Sequence, residues 1–591
     1  MGKTQQIIQV CIPPTHATMK KYIYTSLLCM ATLPCQLSLA ANANKDAYKA
    51  MLKLITYNAE GKQLSTGTAF FVGNNTQVAT SYSALKDAYK VEVIDFKGNK
   101  YPLHRILGAN ATTDLVLFSI NEAPKKGYFF NISATTSHKG ANLQMWQYTT
   151  NKKAGSTTVS VERAEPFDSY TYYYTNAANN DANFACPLTD DEGNIVAILQ
   201  KNVAKDATGA CAIDARFFND MKIKVTDAFN TDLASLHLPK ALPTNQHDAL
   251  SFLYIYPQAD STLFVTACQD YIQSYPSMPD GYVVRANFLA NKAQYAQAQA
   301  DYNTALQCTA TCKDSTAMTA ADIHYALSNQ IYRNITAQGK DTLQAFKQWT
   351  LTEAIAEANK AYAATPSPLY LVHKGKCYYA KRQYKEAYEN FARACEDKAF
   401  ASCETYFWAA RTLELSQGDN QQVIALLDSC IALIPEKAGA QYAQFYIERS
   451  QRLLRAQKYR EAVKDYNTYE QLVGPRNLNE RFYYLRAQAE EHAHMYQQAL
   501  DDYNSAITQS KQPEFYQIEK AAFLLNIGEF AAAADAAEKV LKVMPQNSDC
   551  YKIMGIAHGE LKHKALAVKY LQKAQKLGDN SVESFLKKYN K

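Results

Sequence analysis

Residues 450–466 read SQRLLRAQKYREAVKDY, and residues 487–503 read AQAEEHAHMYQQALDDY in the same frame, 37 positions later. Each stretch has a small residue at its first position, an alanine at its thirteenth (Ala462 and Ala499) and a tyrosine at its seventeenth. Ala533 and Ala567 continue the series at steps of 34 residues. A repeat of this length with helical spacing predicts a stack of helix pairs, in which the small residues let the two helices of a pair approach closely.

Two units further upstream follow the same frame. One contains Ala286, Ala298, Tyr302 and Ala305, and the other contains Gly375, Tyr378, Ala387, Phe391 and Ala394. Residues that cannot continue a helix follow at Pro366, Pro435 and Pro545. This arrangement resembles the tetratricopeptide repeat (TPR) family over about residues 246–591. The resemblance implies roughly eight helix pairs forming a solenoid with a concave protein-binding face, and the units near Tyr325 and Ala410 depart from its pattern.

The amino terminus has the layout of a cleavable secretory signal. Lys20 and Lys21 precede an apolar stretch from Tyr22 to Leu39, which ends in small residues at Ala40. We therefore expect a signal peptide over residues 1–40, in which residues 1–18 are an upstream extension and Met19 is the start. A membrane anchor is the alternative. The prediction is a soluble mature protein, exported to the periplasm or the extracellular space, with no membrane span.

Charge gives no indication of a nucleic-acid partner. The net charge of +6 falls to +3 when Lys3, Lys20 and Lys21 leave with the signal segment. No phosphate-binding motif surrounds the glycine–lysine pairs of the chain, and the histidine pairs lack the spacing of a zinc helix: His492 with His494, and His558 with His563. We expect neither a metal nor another cofactor. The oligomeric state stays open.

Residues 45–225 have short β-branched runs broken by Gly and Asn, which predict strands of a barrel or sandwich. Five segments then occur in order: GTAFFV at 67–72, ATSYSAL at 79–85, TDLVL at 113–117, ANFACPL at 182–188 and EGNIVAI at 192–198. Together they resemble trypsin-like serine peptidases, especially the bacterial envelope heat-shock branch. The expected fold is therefore an all-β trypsin-like double barrel, a linker at 226–245, and an all-α TPR solenoid at 246–591.

The resemblance fails at the catalytic positions. Ser83 stands where the family has its histidine and Phe184 where it has its serine nucleophile, whereas Asp114 matches the family's aspartate. Hydrolysis on this fold requires an imidazole that takes the proton of the nucleophile and returns it to the leaving amine. A phenyl ring cannot attack, and a serine hydroxyl is no base near neutral pH. These substitutions predict a domain that has lost its catalytic triad.

An active peptidase is the competing hypothesis, with the repeats recruiting its substrate. Its best nucleophile is Cys186, which would need His104 or His138 within hydrogen-bond reach. Ten cysteines follow Ala40, and in an oxidising compartment some can pair. Three pairs are close enough in the chain to test, and buried free thiols are the alternative for each: Cys186 with Cys211, Cys308 with Cys312, and Cys395 with Cys403.

The repeat frame places polar and aromatic side chains of the first helices on the concave face. These positions suit a protein or peptide partner, although solvated helix surface is the alternative for any one of them. The candidates are Lys376, Tyr379, Gln444, Gln451, Arg481, Tyr484, Gln488 and Glu491. We therefore expect an exported, non-catalytic protein-binding scaffold. An envelope assembly or chaperone factor would differ from it only in its client.

Overall fold

The computed structural model describes residues 46–150, 156–204, 207–337 and 346–590. It divides into two compact units, the first ending at Leu263 and the second beginning at Phe264. The predicted signal peptide lies outside the described residues. Among the residues described, no helix combines the length and the apolar character needed to cross a membrane.

The first unit begins with a closed antiparallel barrel of six strands. In barrel order these are β1 (Met51–Tyr57), β2 (Gln63–Phe71), β3 (Gln77–Thr80), β6 (Leu115–Ile120), β5 (Lys100–Asn110) and β4 (Lys90–Ile94). Strand β4 closes the barrel by pairing with β1. A short helix, α1 (Tyr82–Leu85), follows β3. Phe70 of β2 and Phe118 of β6 are fully buried, and their strand neighbours Phe71 and Leu117 are also buried.

A second closed antiparallel barrel of six strands follows. Its order is β10 (Pro187–Thr189), β11 (Ile195–Gln200), β12 (Gly209–Asp214), β9 (Tyr170–Ala178), β8 (Thr157–Phe167) and β7 (Asn142–Met145). The two barrels share a core in which Phe70 packs with Phe130 and Ile195. The predicted all-β double barrel is confirmed.

The segment at 226–245, predicted to be a linker, is held against the first barrel. The carbonyl of Pro239 accepts a hydrogen bond from the Ile106 amide, and the Ala241 amide donates to the Ile106 carbonyl, both at 2.8 Å. These two bonds form a parallel β-bridge between Ile106 of β5 and Lys240 of the segment. Helices α2 (Thr231–Ala234) and α3 (Gln246–Ile255) complete this part of the first unit.

The rest of the described chain is helical, and helices α5 to α20 pack as eight successive pairs. The helices are α4 (Ser261–Ser274), α5 (Pro279–Asn291), α6 (Tyr295–Cys308), α7 (Ala320–Ala337), α8 (Leu351–Ala364), α9 (Pro368–Ala380), α10 (Tyr384–Cys395), α11 (Cys403–Leu415), α12 (Asn420–Ala432), α13 (Ala443–Arg455), α14 (Tyr459–Val473), α15 (Glu480–His492), α16 (Tyr496–Gln509), α17 (Glu514–Asn526), α18 (Phe530–Leu541), α19 (Ser548–Glu560), α20 (Lys564–Lys576) and α21 (Glu583–Tyr589). The predicted all-α region is confirmed.

Close helix crossings account for the small residues of the repeat. A methyl group added at Gly375 would lie 2.7 Å from the Phe391 ring, and one at Gly555 would lie 2.6 Å from Leu571. Ala462 and Ala499 are likewise fully buried. A larger side chain at such a position would force the two helices of the pair apart, because protein interiors have no spare volume.

The turn inside each pair sets the register of the repeat. Arg382, Gln457, His494 and Lys562 have positive φ values of 59° to 66°, and each precedes its repeat alanine by five residues. Two pairs depart from this rule. The turn between α11 and α12 is one residue longer, which brings Val423 to the crossing, and thirteen residues separate α7 from α8. These are the units near Ala410 and Tyr325.

A recurring ion pair joins the two helices in three of the units. Arg449 donates two hydrogen bonds to Asp465, at 2.8 and 2.7 Å. Arg285 with Asp301, and Arg486 with Asp502, have the same spacing of sixteen residues and the same two-point contact. Each arginine directly precedes the small crossing residue of its first helix. This ion pair is therefore part of the repeat, and the sequence analysis did not predict it.

Candidate functional site

The first barrel brings together two of the three positions that the family resemblance singled out, Ser83 and Asp114. Ser83, exposed in α1, donates from its backbone amide to Oδ1 of Asp114 at 2.7 Å and from its hydroxyl to Oδ2 at 3.1 Å. Asp114 lies in the turn before β6 with φ of 48°, a conformation that aspartate tolerates better than most residues. Burial raises the pKa of the Asp114 carboxyl, and the hydrogen bonds from Ser83 oppose this shift. The carboxylate is therefore occupied by a hydroxyl and an amide rather than by an imidazole.

The loop predicted to carry the nucleophile position, residues 182–188, is held by hydrogen bonds to strands β9 and β11 and within itself. The Ala185 amide donates to the Leu199 carbonyl at 2.9 Å, and the Cys186 amide donates to the Asn183 carbonyl at 3.2 Å. Asn183 also donates from Nδ2 to the Ala178 carbonyl at 2.8 Å. Ala185 has a φ of 62°, so an alanine occupies a left-handed conformation that glycine adopts more easily. Two backbone amides of the loop thus have partners inside the protein.

Phe184, within this loop, is half-buried and supplies no nucleophilic atom. Its neighbour Cys186 is fully buried, and its thiol lies 3.6 Å from the Ala182 carbonyl. Burial raises the pKa of the Cys186 thiol to about 12. Because the thiolate is the reactive form of cysteine, this environment suppresses its nucleophilicity.

The two histidines of the β-domain lie elsewhere. His138 is exposed in the loop before β7, and His104 is part of β5 in the first barrel. Cys186 packs in the core of the second barrel with Leu188 and Ala212.

All ten cysteines of the described residues are free thiols in the structure. Cys308 and Cys312 lie one turn apart at the end of α6, where the Cys312 amide donates to the Cys308 carbonyl at 2.9 Å. Cys312 contacts Met278 through sulfur at 3.6 Å. The structure therefore bonds none of the candidate pairs: Cys186 with Cys211, Cys308 with Cys312, and Cys395 with Cys403.

A row on α15 contains three of the predicted concave-face residues, Tyr484, Gln488 and Glu491, and each makes a side-chain hydrogen bond. Gln488 donates to the Tyr484 hydroxyl at 2.8 Å, and that hydroxyl donates to Glu519 of α17 at 2.9 Å. Glu491 accepts from Asn526, also of α17, at 3.2 Å. The row thus joins the first helices of two neighbouring units.

The aromatic side of this row is partly open. The Tyr484 ring packs against Phe515, with centroids 5.3 Å apart, and Phe515 is 52% exposed. Arg481 is exposed at the start of α15. The remaining predicted positions lie on other first helices, partly or fully exposed: Lys376, Tyr379, Gln444 and Gln451.

A cavity of about 450 Å³ lies on the first helices α5, α7 and α9, and the sequence analysis missed it. Asn287 and Asn291 of α5 line it, one helical turn apart, as do Asn329 and Arg333 of α7. Gln330 donates to Asn291 at 2.8 Å and thereby joins the two helices. The one-turn spacing of polar residues on α5 and α7 was a usable signal, but the irregular α7 unit hid the frame in which to read it.

No known protein-family model matches this chain, and no curated protein sequence matches it.

Proposed function

We propose that this protein is a non-catalytic scaffold that binds protein or peptide partners on the first helices of its helical region. The observation that carries the proposal is the contact between Ser83 and Asp114, in which a hydroxyl occupies the place where a trypsin-like site holds its imidazole. Phe184 at the nucleophile position supports it. In this proposal the β-domain has no catalytic role and serves as a rigid docking module.

The chemistry of the β-domain weighs against the peptidase hypothesis. Acyl transfer needs a group that accepts a proton near neutral pH and a nucleophile that it activates. Asp114 is hydrogen-bonded to Ser83, and Cys186 is buried with a raised pKa. Loss of a complete catalytic unit costs about a millionfold in turnover, which leaves binding as the function that the domain can still support.

The α5–α7–α9 cavity has the chemistry to hold an extended peptide. A carboxamide offers a donor and an acceptor, as a peptide group does, so Asn329 can pair with main-chain atoms of any sequence. The Asn287 oxygen accepts from the Tyr302 hydroxyl, so its amide group is the part that can bind a main-chain carbonyl. The Tyr325 ring adds apolar area. Asp322 and Arg333 also line the cavity and lie about 16 Å apart along α7. About five extended residues span that distance, so a peptide with a basic and an acidic residue at this spacing fits best.

Binding to an array of extended decapeptides tests this proposal. We expect the doubly substituted variant Asn329→Ala/Arg333→Ala to lose about tenfold or more in affinity for the peptides that the wild type selects. Lys385→Ala/Glu389→Ala alters two exposed residues of the second helix α10 and serves as the matched control. Equal binding by all three proteins would refute the assignment of this face.

A further inference from the structure

A second cavity, of about 500 Å³, lies in the first unit among α3, the segment before it and the residues that follow it up to Leu263. Every lining residue falls between Asp227 and Leu263. Leu233, Phe252, Tyr256 and Leu263 give it apolar walls. Its volume is within the range of small-molecule sites. Neither the catalytic positions nor the helical face described above includes any of these residues.

One lysine is buried in the wall of this cavity. Lys240 is only 8% exposed, and its backbone is fixed by the bridge to Ile106 of β5. The ammonium group donates to the Leu236 carbonyl, the one hydrogen bond seen for it among the described residues. Since an ammonium has three donors, two are left for a ligand.

Among the described residues, no carboxylate lies within ion-pair distance of the Lys240 ammonium, although two aspartates line the cavity. Asp260 lines the cavity, but its Oδ1 accepts from the amides of Thr262 and Leu263 at 2.9 and 3.0 Å and thereby caps α4. Asp227 accepts from the Lys224 amide at 2.8 Å. Burial lowers the pKa of Lys240 to about 8, although the charge of Asp260 acts in the opposite direction. The ammonium is therefore buried without a close counter-ion, a costly state that an anionic ligand would relieve.

We propose that this cavity binds a small apolar carboxylate, such as a medium-chain fatty acid, with its carboxylate on Lys240 and its chain along Leu233, Phe252 and Leu263. A single buried ammonium matches a single negative charge. A phosphate or dicarboxylate would place a second charge against apolar walls and the two aspartates, with the His237 imidazole as its one further partner among the lining residues. The apolar walls account for the rest of the ligand.

Titration calorimetry of the full-length chain with decanoate, decanol and decylammonium tests the site. We expect decanoate to bind at least about tenfold more tightly than either neutral or cationic analogue. Lys240→Met should lower the affinity for decanoate about tenfold or more and leave that for decanol unchanged, whereas Lys240→Arg retains most decanoate binding. Lys139→Met, at an exposed site of the β-domain, is the control, and circular dichroism confirms that each variant is folded.

The pH dependence provides a second readout. The other ionisable groups lining the cavity are Asp227, His237, Tyr256 and Asp260. The pKa of Tyr256 is raised to about 12 by burial, and a His237→Asn background removes the imidazole from the profile. In the His237→Asn background, the affinity for decanoate should fall as the pH rises from about 7 to about 9.5. When Lys240→Arg is added to that background, the affinity should not change over the same pH range.

Three results would overturn the proposal. These are no decanoate binding at about 1 mM, equal affinity for decanoate and decanol, and undiminished decanoate binding by folded Lys240→Met. If the peptide-array experiment shows no binding on the first helices, the proposal for this cavity is unaffected, because the two sites share no residue.

Discussion

A group of four charged side chains between α15 and its neighbours makes the helical region sensitive to pH. Arg486 donates to Asp502 at 2.6 and 2.9 Å and to Glu470 at 2.6 Å, while Oε1 of Glu490 lies 3.9 Å from it. Glu490 is 4% exposed, and its Oε2 has no hydrogen-bond partner among the described residues. Burial, followed by the charge of Asp502, raises the pKa of Glu490 to about 8.

The direction of the effect on stability follows from this shift. Glu490 binds its proton more tightly in the folded than in the unfolded chain, so its contribution to stability is present below its ordinary pKa of 4.5 and is lost as pH rises through about 8. Each pKa unit corresponds to about 1.4 kcal/mol, but Asp502 shares the proton and Arg486 offsets part of the charge. We therefore expect the wild type to lose about 2 kcal/mol between about pH 5 and about pH 9 through this residue.

Glu490→Gln isolates that contribution, since a carboxamide keeps the shape of the protonated acid without titrating. Urea unfolding followed by circular dichroism at several pH values should show similar stability of variant and wild type near pH 5, and a variant more stable by about 2 kcal/mol near pH 9. Glu461→Gln alters an exposed carboxylate of α14 and should show no such divergence. The reasoning would be refuted if the free energies of unfolding of Glu490→Gln and wild type differed by the same amount at every pH. It would also be refuted if that difference became larger as the pH was lowered.

Three further substitutions test the packing of the helical region by thermal unfolding. Gly375→Ala should destabilise it by about 1–3 kcal/mol, because the new methyl meets the Phe391 ring at 2.7 Å, and Phe391→Leu in the same chain should restore part of the loss. Lys562→Gly should stabilise by about 0.5 kcal/mol, because Lys562 is exposed with φ of 66°; a lower melting temperature would contradict this. Asp465→Asn should cost about 1–2 kcal/mol, because it removes the buried charge that pairs with Arg449 while Asp428 still accepts from the same guanidinium, whereas an unchanged melting temperature would show that the pair contributes nothing.

The parts of the fold that repeat were accessible from the sequence. The interval of 34 residues between Ala499, Ala533 and Ala567 is set by close helix crossings and by turns of constant length, and both leave small residues at fixed positions. The strands of the barrels were accessible for a similar local reason, since alternation and turn residues act over a few positions.

Features that depend on distant parts of the chain were not accessible. The sequence predicted a linker at 226–245, but Pro239 and Ala241 in that segment pair with Ile106, more than a hundred residues away. The ion pair of Arg449 with Asp465 depends on how two helices cross, which the repeat pattern alone does not specify. Of the candidate site, the family resemblance named Ser83 and Asp114, whereas the hydrogen bonds between them and the α5–α7–α9 cavity required coordinates.

The most direct measurement of the central claim is active-site labelling. The purified protein would be treated with a fluorophosphonate and with iodoacetamide at neutral pH, and casein turnover would be followed in parallel. The account predicts no fluorophosphonate adduct, no native-state alkylation of Cys186 and no hydrolysis above the rate without protein. Stoichiometric labelling of a residue of the β-domain, together with proteolysis that the same reagent abolishes, would contradict it.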